Sequence, residues 1–218
     1  MIRKDGASGG VFAVVRDLAW GEFDENTYVV GDESGCVVFD PGAPADLILP
    51  LVAGRKVAAI LLTHTHLDHI LGADELRDAT GAPVVAPAGE ATGLEDPRVN
   101  LSAAYGVDIR RRPAEKVARA GDRYRAGGIE LQACNTPGHS PGHLAWKSLA
   151  PAEKFVISGD ALFSGSIGRT DFPGASHDLL IASIRRELLT LPDETIVYPG
   201  HGPRTTVGTE RKYNPFLR

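Results

Sequence analysis

The sequence predicts an α/β fold made of two halves that each combine several strands with helices. Two observations support this prediction. Short runs rich in Val and Ile alternate with Gly- and Pro-containing turns, and segments with helical periodicity follow such runs in both halves. The 218 residues can bury a sizeable core, and 43% hydrophobic with 23% charged residues is ordinary for a globular protein. We expect a single domain over residues 1–218.

The first half is predicted to begin with hairpin strands and to continue as strand, helix and strand. The turns GEFDE and GDESG separate three β-rich runs, which we predict to be the strands VFAVVRDLAW, NTYVVGD and CVVFDPG. The segment ADLILPLVAG is a predicted helix, and LGADELRDATG is a second helix that ends at Gly81. Between and after them we predict the buried strands KVAAILLTH and APVVAP.

The second half repeats this order. We predict antiparallel strands in RYRAGGIELQACNTPGH and HLAWKSL, and buried strands in KFVISGD and TIVYPGH. The clearest helix is SHDLLIASIRRELLTLP, which begins at the N-cap Ser176. Its predicted buried face consists of Leu179, Leu180, Ile184 and Leu188.

Composition excludes several classes of protein. No apolar stretch approaches the ~20 residues that span a bilayer, and the N-terminus lacks the pattern of a signal peptide, so we expect a cytoplasmic protein with no membrane partner. The net charge of −5 argues against nucleic acid as a partner, and acidic residues interrupt the basic run at 109–125. Cys36 and Cys134 lie in apolar segments and are predicted to be buried and free of disulfides.

Metal-competent side chains follow four predicted strands. His64, His139, Asp160 and His201 each stand where an apolar run ends. Sites in open α/β architectures assemble at the carboxyl ends of strands, because loops can converge there without disturbing the sheet. We therefore expect these four side chains to meet.

The segment HTHLDH concentrates further candidate ligands. An extended backbone projects His64 and His66 to the same side, while Asp68 and His69 follow at the start of a helix. Two neighbouring residues cannot easily bind one ion, so this pair indicates a second metal ion beside the first. Imidazole and carboxylate without thiolate are typical of catalytic zinc, with iron and manganese as alternatives. His143 is predicted to be a packing residue and His177 a solvated one.

Four motifs, THTHLDH, TPGHSPGH, SGDALF and YPGHG, resemble the metallo-β-lactamase superfamily in their order and nearly span the chain. The resemblance implies a four-layer αββα sandwich of two mixed sheets with helices outside. It also implies that two divalent metal ions, zinc by preference, are bound. The implied ligands are His64, His66 and His139 for the first ion, Asp68, His69 and His201 for the second, and Asp160 for both.

A narrower resemblance, carried by LFSGSIGRTDFPGASHDLLIASI and GTERKYNPFL, is to glyoxalase II (hydroxyacylglutathione hydrolase) and its short bacterial relatives. Only 17 residues follow His201, so we expect no separate C-terminal glutathione-binding domain. Asp68 and Asp160 are the implied catalytic carboxylates. Arg169 is expected to pair with Asp171 near the site, and the expected residues of the substrate-binding mouth are Arg169, Phe172, Tyr213 and Asn214.

The expected activity is hydrolysis of a small-molecule thioester. Two adjacent cations would lower the pKa of a bridging water from 15.7 towards ~7, which supplies a hydroxide nucleophile at neutral pH. The main alternative is a persulfide dioxygenase with one Fe(II) held by His64, His139 and Asp160. Persulfide dioxygenases share the same sandwich and much of GRTDF but end their last motif in Ala-His-Asp-Tyr, whereas this chain has PGHGP. A lactamase, a nuclease and a non-catalytic metal-binding or redox module are further alternatives.

Overall fold

A computed structural model of the protein describes residues 14–150 and 154–218. The strands are β1 (Val14–Trp20), β2 (Glu25–Asp32), β3 (Gly35–Phe39), β4 (Val57–Leu61), β5 (Val84–Pro87), β6 (Lys116–Ala118), β7 (Arg123–Ala126), β8 (Ile129–Asn135), β9 (Leu144–Ser148), β10 (Phe155–Gly159), β11 (Leu162–Phe163), β12 (Ser166–Ile167), β13 (Ile196–Pro199) and β14 (Thr205–Thr206). The α-helices are α1 (Ala45–Val52), α2 (Leu67–Ile70), α3 (Ala73–Thr80), α4 (His177–Ser183) and α5 (Val207–Tyr213). Short 3-10 helices cover Ala91–Leu94 and Ser102–Tyr105, and a π-helical turn covers Ile184–Leu188. Within the described ranges, no helix has the length and hydropathy of a membrane-crossing segment.

Each half of the chain forms one six-stranded mixed sheet. The first sheet has the order β1-β2-β3-β4-β5-β6, with antiparallel pairs up to β3 and parallel pairs beyond it. The second has the order β14-β13-β10-β9-β8-β7, in which β10 and β13 are the parallel pair. Strands β11 and β12 form a separate two-stranded hairpin. The two-half organisation predicted from the sequence is confirmed.

Alternating side chains of the two sheets pack into three buried layers. Residues of β2 to β5 on one face pack against α1 and α3, as Val38 and Ile48 illustrate. The opposite faces of both sheets meet in a central layer that contains Phe39 and Trp146. The outer face of the second sheet packs against α4, the π-helical turn and α5. The molecule is therefore the four-layer αββα sandwich that the sequence resemblance implies.

The helix that follows Ser176 begins as predicted, but its buried face is narrower. The Ser176 hydroxyl accepts a hydrogen bond from the Leu179 backbone N–H at 3.4 Å. Leu180, Ile184 and Leu188 are fully buried, whereas Leu179 is 42% exposed, and its predicted burial is wrong. Residues four apart stay on one face of a helix, while a neighbour one position away is turned by about 100°.

The topology brings the carboxyl ends of four strands together. Strands β8, β10 and β13 run in the same direction, since β9 lies antiparallel between β8 and β10. The end of β4 joins them from the other sheet, because the Leu144 N–H donates to the Thr63 carbonyl at 2.9 Å. The loops that follow these strands thus share one rim between the sheets.

The opposite end of the sandwich is tied by Asp32. Its carboxylate accepts hydrogen bonds from the Ser34 N–H and hydroxyl, at 2.8 and 2.6 Å, and from the Gly128 N–H of the other sheet at 2.7 Å. We expect Asp32→Ala to lower the free energy of unfolding by about 1–3 kcal/mol, measured by urea denaturation at pH 7. An unchanged denaturation midpoint would contradict the role of this contact.

The same contact predicts a pH dependence. Hydrogen bonds from Ser34 and Gly128 lower the pKa of Asp32 below its ordinary value of 3.8. A carboxyl group whose pKa is lowered on folding stabilises the fold above its unfolded pKa, and the gain is lost as pH falls through the folded value. We therefore expect the stability difference between the wild type and Asp32→Ala to shrink below about pH 4.

Candidate metal centre

Three buried imidazoles converge at the rim between the sheets. His64 and His66 follow β4, and His139 follows β8 from the second sheet. His66 Nδ1 lies 3.1 Å from His64 Nε2 and 2.9 Å from His139 Nε2. The three rings are at most 6% exposed. Their facing nitrogens form a compact set of donors that could hold one ion.

A second set lies beside the first. His201 Nε2 is 3.4 Å from Asp68 Oδ2, and His69 Nε2 is 3.9 Å from the same oxygen. Asp160 stands between the two sets: its Oδ1 is 3.4 Å from His69 Nε2, and its Oδ2 is 3.4 Å from both His139 Nε2 and His201 Nε2. The structure thus brings together all seven side chains that the sequence nominated as ligands.

Four of the imidazoles are oriented by a contact to the ring nitrogen that faces away from the pocket. Such contacts fix the tautomer and leave the other nitrogen available to a metal. The contacts to Nδ1 come from Thr63 Oγ1 for His64 (3.1 Å), Asp40 Oδ2 for His69 (3.2 Å), the Arg169 carbonyl for His139 (2.9 Å) and the Phe23 carbonyl for His201 (2.8 Å).

Two carboxylates behind the pocket were missed by the sequence analysis. Asp40 accepts hydrogen bonds from the Thr63 N–H and hydroxyl, both at 2.7 Å, and faces His69. Glu25 is 1% exposed and its Oε1 lies 3.8 Å from His69 Nδ1. Asp40 directly follows β3, the strand that pairs with β4, and this position at a strand end could have identified Asp40 from the sequence. For Glu25 no such signal exists, since it begins its strand.

Burial and charge separate the histidines into two classes. Burial lowers the pKa of His64 well below its ordinary value and that of His66 to about 3. Burial opposes charge on His69 and His201 as well, but Asp160 and Asp68 outweigh it and raise the pKa of His201 to about 10. The carboxyl of Asp160 is held well below its usual pKa because His69 and His201 outweigh its burial. His64 and His66 therefore favour the neutral form, whereas the neighbouring carboxylates favour the cationic form of His69 and His201.

The donor atoms fit divalent metal ions. His69 Nε2 and Asp160 Oδ1, which both face the pocket, are buried without a hydrogen-bond partner in the part of the chain that the structure describes. Buried polar groups are normally hydrogen-bonded, and unsatisfied ones call for an ion or a water. Imidazole and carboxylate donors suit zinc, iron and manganese.

Aromatic residues form the mouth of the pocket. Phe172 packs edge-on against His66 and His139, with ring centroids 5.4 and 5.8 Å apart. Arg169 lies 4.4 Å from the Phe172 centroid and pairs with Asp171 through contacts of 2.9 and 2.8 Å, as expected. The sequence analysis did not identify the remaining apolar residues of the wall, which are Phe23, Leu67, Leu101, Tyr105 and Phe163.

Two predicted mouth residues lie elsewhere. Neither Tyr213 nor Asn214 lines the cavity around the cluster. Asn214 is 1% exposed, and its amide donates to the Ser166 carbonyl at 3.0 Å and to Glu210 at 2.8 Å, which ties the end of α5 to β12. Tyr213 is 57% exposed. Their assignment to the mouth is corrected to a structural role for Asn214 and a surface position for Tyr213.

The two remaining histidines behave as predicted. His143 is fully buried; its Nδ1 lies 2.8 Å from the Thr136 hydroxyl, and its Nε2 accepts a hydrogen bond from the Asp160 N–H at 3.1 Å. It therefore packs behind the pocket and positions the Asp160 backbone. His177 is exposed in the first turn of α4.

Asn26 holds the His201 loop and yields a prediction. Its side-chain amide donates to the carbonyls of Pro199 and Gly202 at 3.0 and 2.9 Å, on either side of His201. We expect Asn26→Ala to reduce metal affinity at the second set about tenfold to a hundredfold, because the loop loses both anchors. Metal titration followed by calorimetry measures this, and an affinity equal to the wild type would contradict it.

Comparisons with known proteins agree with this geometry. The sequence pattern of the metallo-β-lactamase superfamily matches residues 20–201. The probable metallo-hydrolase YqgX of Bacillus subtilis (strain 168) is 38% identical over 205 residues, which cover 93% of this chain and 96% of that relative. The hydroxyacylglutathione hydrolase GloC of Haemophilus influenzae is 32% identical over 201 residues, with coverages of 89% and 93%.

Solved structures show the same fold. The BLEG-1 B3 metallo-beta-lactamase has a TM-score of 0.88 at 39% identity and covers 94% of this chain and 99% of its own. The di-iron-bound form of TTHA1623 has a TM-score of 0.80 at 40% identity, with coverages of 92% and 99%. ETHE1 from Myxococcus xanthus has a TM-score of 0.74 at 31% identity, with coverages of 93% and 83%. This chain belongs to the metallo-β-lactamase superfamily, whose fold binds divalent metal ions.

Proposed function

We propose that the protein is a metal-dependent thioester hydrolase of the glyoxalase II type. The observation that carries the proposal is the pair of ligand sets that share Asp160 across one pocket. One set contains His64, His66 and His139, and the other contains Asp68, His69 and His201. The 32% identity to GloC, a hydroxyacylglutathione hydrolase, supports this reaction class.

The proposed cofactor is a pair of divalent ions, zinc by preference and iron or manganese as alternatives. The likeness to the di-iron-bound form of TTHA1623 supports a site with two ions and supports iron as an alternative to zinc. When bound, such ions supply Lewis acidity that lowers the pKa of a water from 15.7 to about 7. Asp160 would contact both ions and fix their spacing, while Asp68 would bind the second ion and orient the attacking water.

The other residues of the pocket orient the metal ligands and exclude water from the site. The Arg169 and Phe23 carbonyls and Asp40 hold His139, His201 and His69 in one tautomer each. The Phe172 ring covers two imidazoles and limits the entry of bulk water. Excluding water strengthens every charge interaction around the reacting carbonyl.

Thioester hydrolysis suits this pocket because the leaving thiolate does not need to be protonated by a strong general acid. A thiol has a pKa of about 8.5, so the thiolate departs without a strong general acid. Amide and phosphodiester leaving groups make greater demands on proton donors. The small-molecule pocket and the net charge of −5 likewise favour a small substrate over nucleic acid.

Two rivals have specific support. The 31% identity to ETHE1 favours the dioxygenase alternative, in which His64, His139 and Asp160 hold one Fe(II). The likeness to BLEG-1 favours hydrolysis of a β-lactam. Asp68, His69 and His201 lie together as a second set of possible ligands. This second set favours a site with two metal ions over a site with one.

One experiment separates these functions. The purified protein is subjected to elemental analysis and assayed with S-D-lactoylglutathione and other thioesters, with glutathione persulfide, and with nitrocefin. We expect two metal ions per chain and thioester hydrolysis. One iron with oxygen uptake on persulfide would replace our proposal with the dioxygenase, and turnover of nitrocefin alone would replace it with the lactamase.

A further inference from the structure

A second cavity opens from the wall of the metal pocket. The pocket itself has a volume of about 180 Å³, and the neighbouring cavity, which we call the tryptophan groove, has about 530 Å³. The groove is lined by Trp20, Gly21, Glu22, Phe23, Asp68 and Leu71. Phe23 and Asp68 line both cavities, so the groove lies directly beside the site.

The groove is held in a fixed place relative to the metal ligands. It lies on the turn between β1 and β2, and the Phe23 carbonyl of that turn contacts His201 Nδ1 at 2.8 Å. The Asn26 N–H, just after the turn, donates to the Gly200 carbonyl at 2.7 Å. The Phe23 ring also packs edge-on against Tyr105 with centroids 5.5 Å apart. A substrate that spans both cavities would therefore meet a preformed surface.

The chemistry of the groove is apolar and acidic. Trp20, Phe23 and Leu71 provide its hydrophobic surface, and its carboxylates are Glu22 and the proposed metal ligand Asp68. Glu22 is therefore the charge of the groove that lies outside the ligand sets. No basic side chain of the described residues lines the groove. The cation on the wall of the metal pocket, Arg169, already pairs with Asp171. An anionic group that entered the groove would lose hydration and would meet Glu22 and no basic side chain of the described residues.

This charge pattern does not match glutathione. Glutathione carries more carboxylates than ammonium groups and is anionic at neutral pH. The metal pocket, with a volume of about 180 Å³, accommodates a small acyl group, and the groove of about 530 Å³ offers the larger space for the other half of the ester. Apolar surface in the groove would instead be buried favourably by an uncharged aliphatic or aromatic group.

Building on the proposed thioester hydrolysis, we propose that the tryptophan groove binds the thiol half of the substrate and selects an uncharged, apolar thiol over glutathione. In the reaction a water oxygen adds to the thioester carbonyl carbon and the carbon–sulfur bond breaks. The acyl group leaves as a carboxylic acid, and the sulfur takes up a proton to leave as the free thiol. Trp20 and Glu22 are then specificity-determining residues of the reaction.

The test compares two esters with the same acyl group, S-D-lactoylglutathione and the D-lactoyl thioester of benzyl mercaptan. We expect kcat/KM to be at least about tenfold higher for the benzyl ester. We expect Trp20→Ala to lower kcat/KM for the benzyl ester about fivefold, mainly through KM, because binding area is lost while the metal ligands are untouched. The glutathione ester should respond little to this change.

A charge reversal provides the matched experiment. Glu22→Lys should raise kcat/KM for the glutathione ester about threefold, an effect that falls at high salt. Glu33→Lys is the control. Like Glu22, Glu33 is an exposed glutamate in a turn next to β2, but it lies at the end of β2 that is far from the metal pocket.

The outcomes separate this inference from the proposed function. Hydrolysis of both esters with glutathione preferred, or equal responses to Glu22→Lys and Glu33→Lys, would overturn the inference and leave thioester hydrolysis in place. Equal kcat/KM values for the two esters would overturn the assignment of the groove to the thiol half. Turnover of neither ester would overturn the proposed function and this inference with it.

Discussion

Replacing Asp160 by alanine is expected to abolish thioester hydrolysis, with kcat falling more than about a thousandfold, and to remove stoichiometric metal. Asp160 is the side chain that lies within 3.4 Å of imidazoles from both ligand sets, so its loss affects both ions. His66→Ala should have a similar effect on the first set, because His66 Nδ1 is the atom nearest to both of its partners. Steady-state kinetics together with elemental analysis measures both results.

A matched control distinguishes loss of the site from loss of the fold. Asp160→Asn keeps the size of the side chain and removes its charge, and Asp178→Asn makes the same change at an exposed position in the first turn of α4. Asp178→Asn should retain metal and activity. A folded Asp160→Ala or His66→Ala protein with full activity would contradict the ligand assignment.

Removing the metal should lower the melting temperature by about 8–16 °C. An ion present at about a thousand times its Kd stabilises the folded state by about 4 kcal/mol, and each kcal/mol shifts Tm by about 2–4 °C in a protein of this size. The effect is reinforced here because Glu25, Asp40, Asp68 and Asp160 crowd around His69. Calorimetry of the metal-loaded and chelated protein measures the shift.

The reversal of that shift is the control. Adding zinc back to the chelated protein should restore both Tm and activity, while adding magnesium, which prefers oxygen ligands and keeps its waters, should not. An unchanged Tm after elemental analysis has verified that the metal is gone would count against the proposed centre.

The sequence was most informative where chemistry and strand ends coincide. His64, His139, Asp160 and His201 could be grouped because each follows an apolar run, and the periodicity of such runs reports strands directly. The parallel course of β8, β10 and β13 then brings their ends to one rim. The resemblance of the motifs to a known superfamily supplied the layer order, which periodicity alone could not.

What the sequence could not provide are contacts between distant segments. Asn26 contacts Pro199 and Gly202 across more than 170 residues, and nothing in NTYVV marks it as an anchor. Tyr213 and Asn214 were placed at the mouth and belong to GTERKYNPFL, one of the segments that resemble glyoxalase II. The structure uses Asn214 to tie α5 to β12 instead, a contact between segments that are distant in sequence.

The division of ligands between the two sheets has a consequence for assembly. Each set of three takes two side chains from the first half of the chain and one from the second: His64 and His66 with His139, and Asp68 and His69 with His201. Neither half could complete a coordination shell by itself. An ion at either position would cross-link the two halves of the chain. Metal uptake during folding would therefore require that the two halves have already packed against each other.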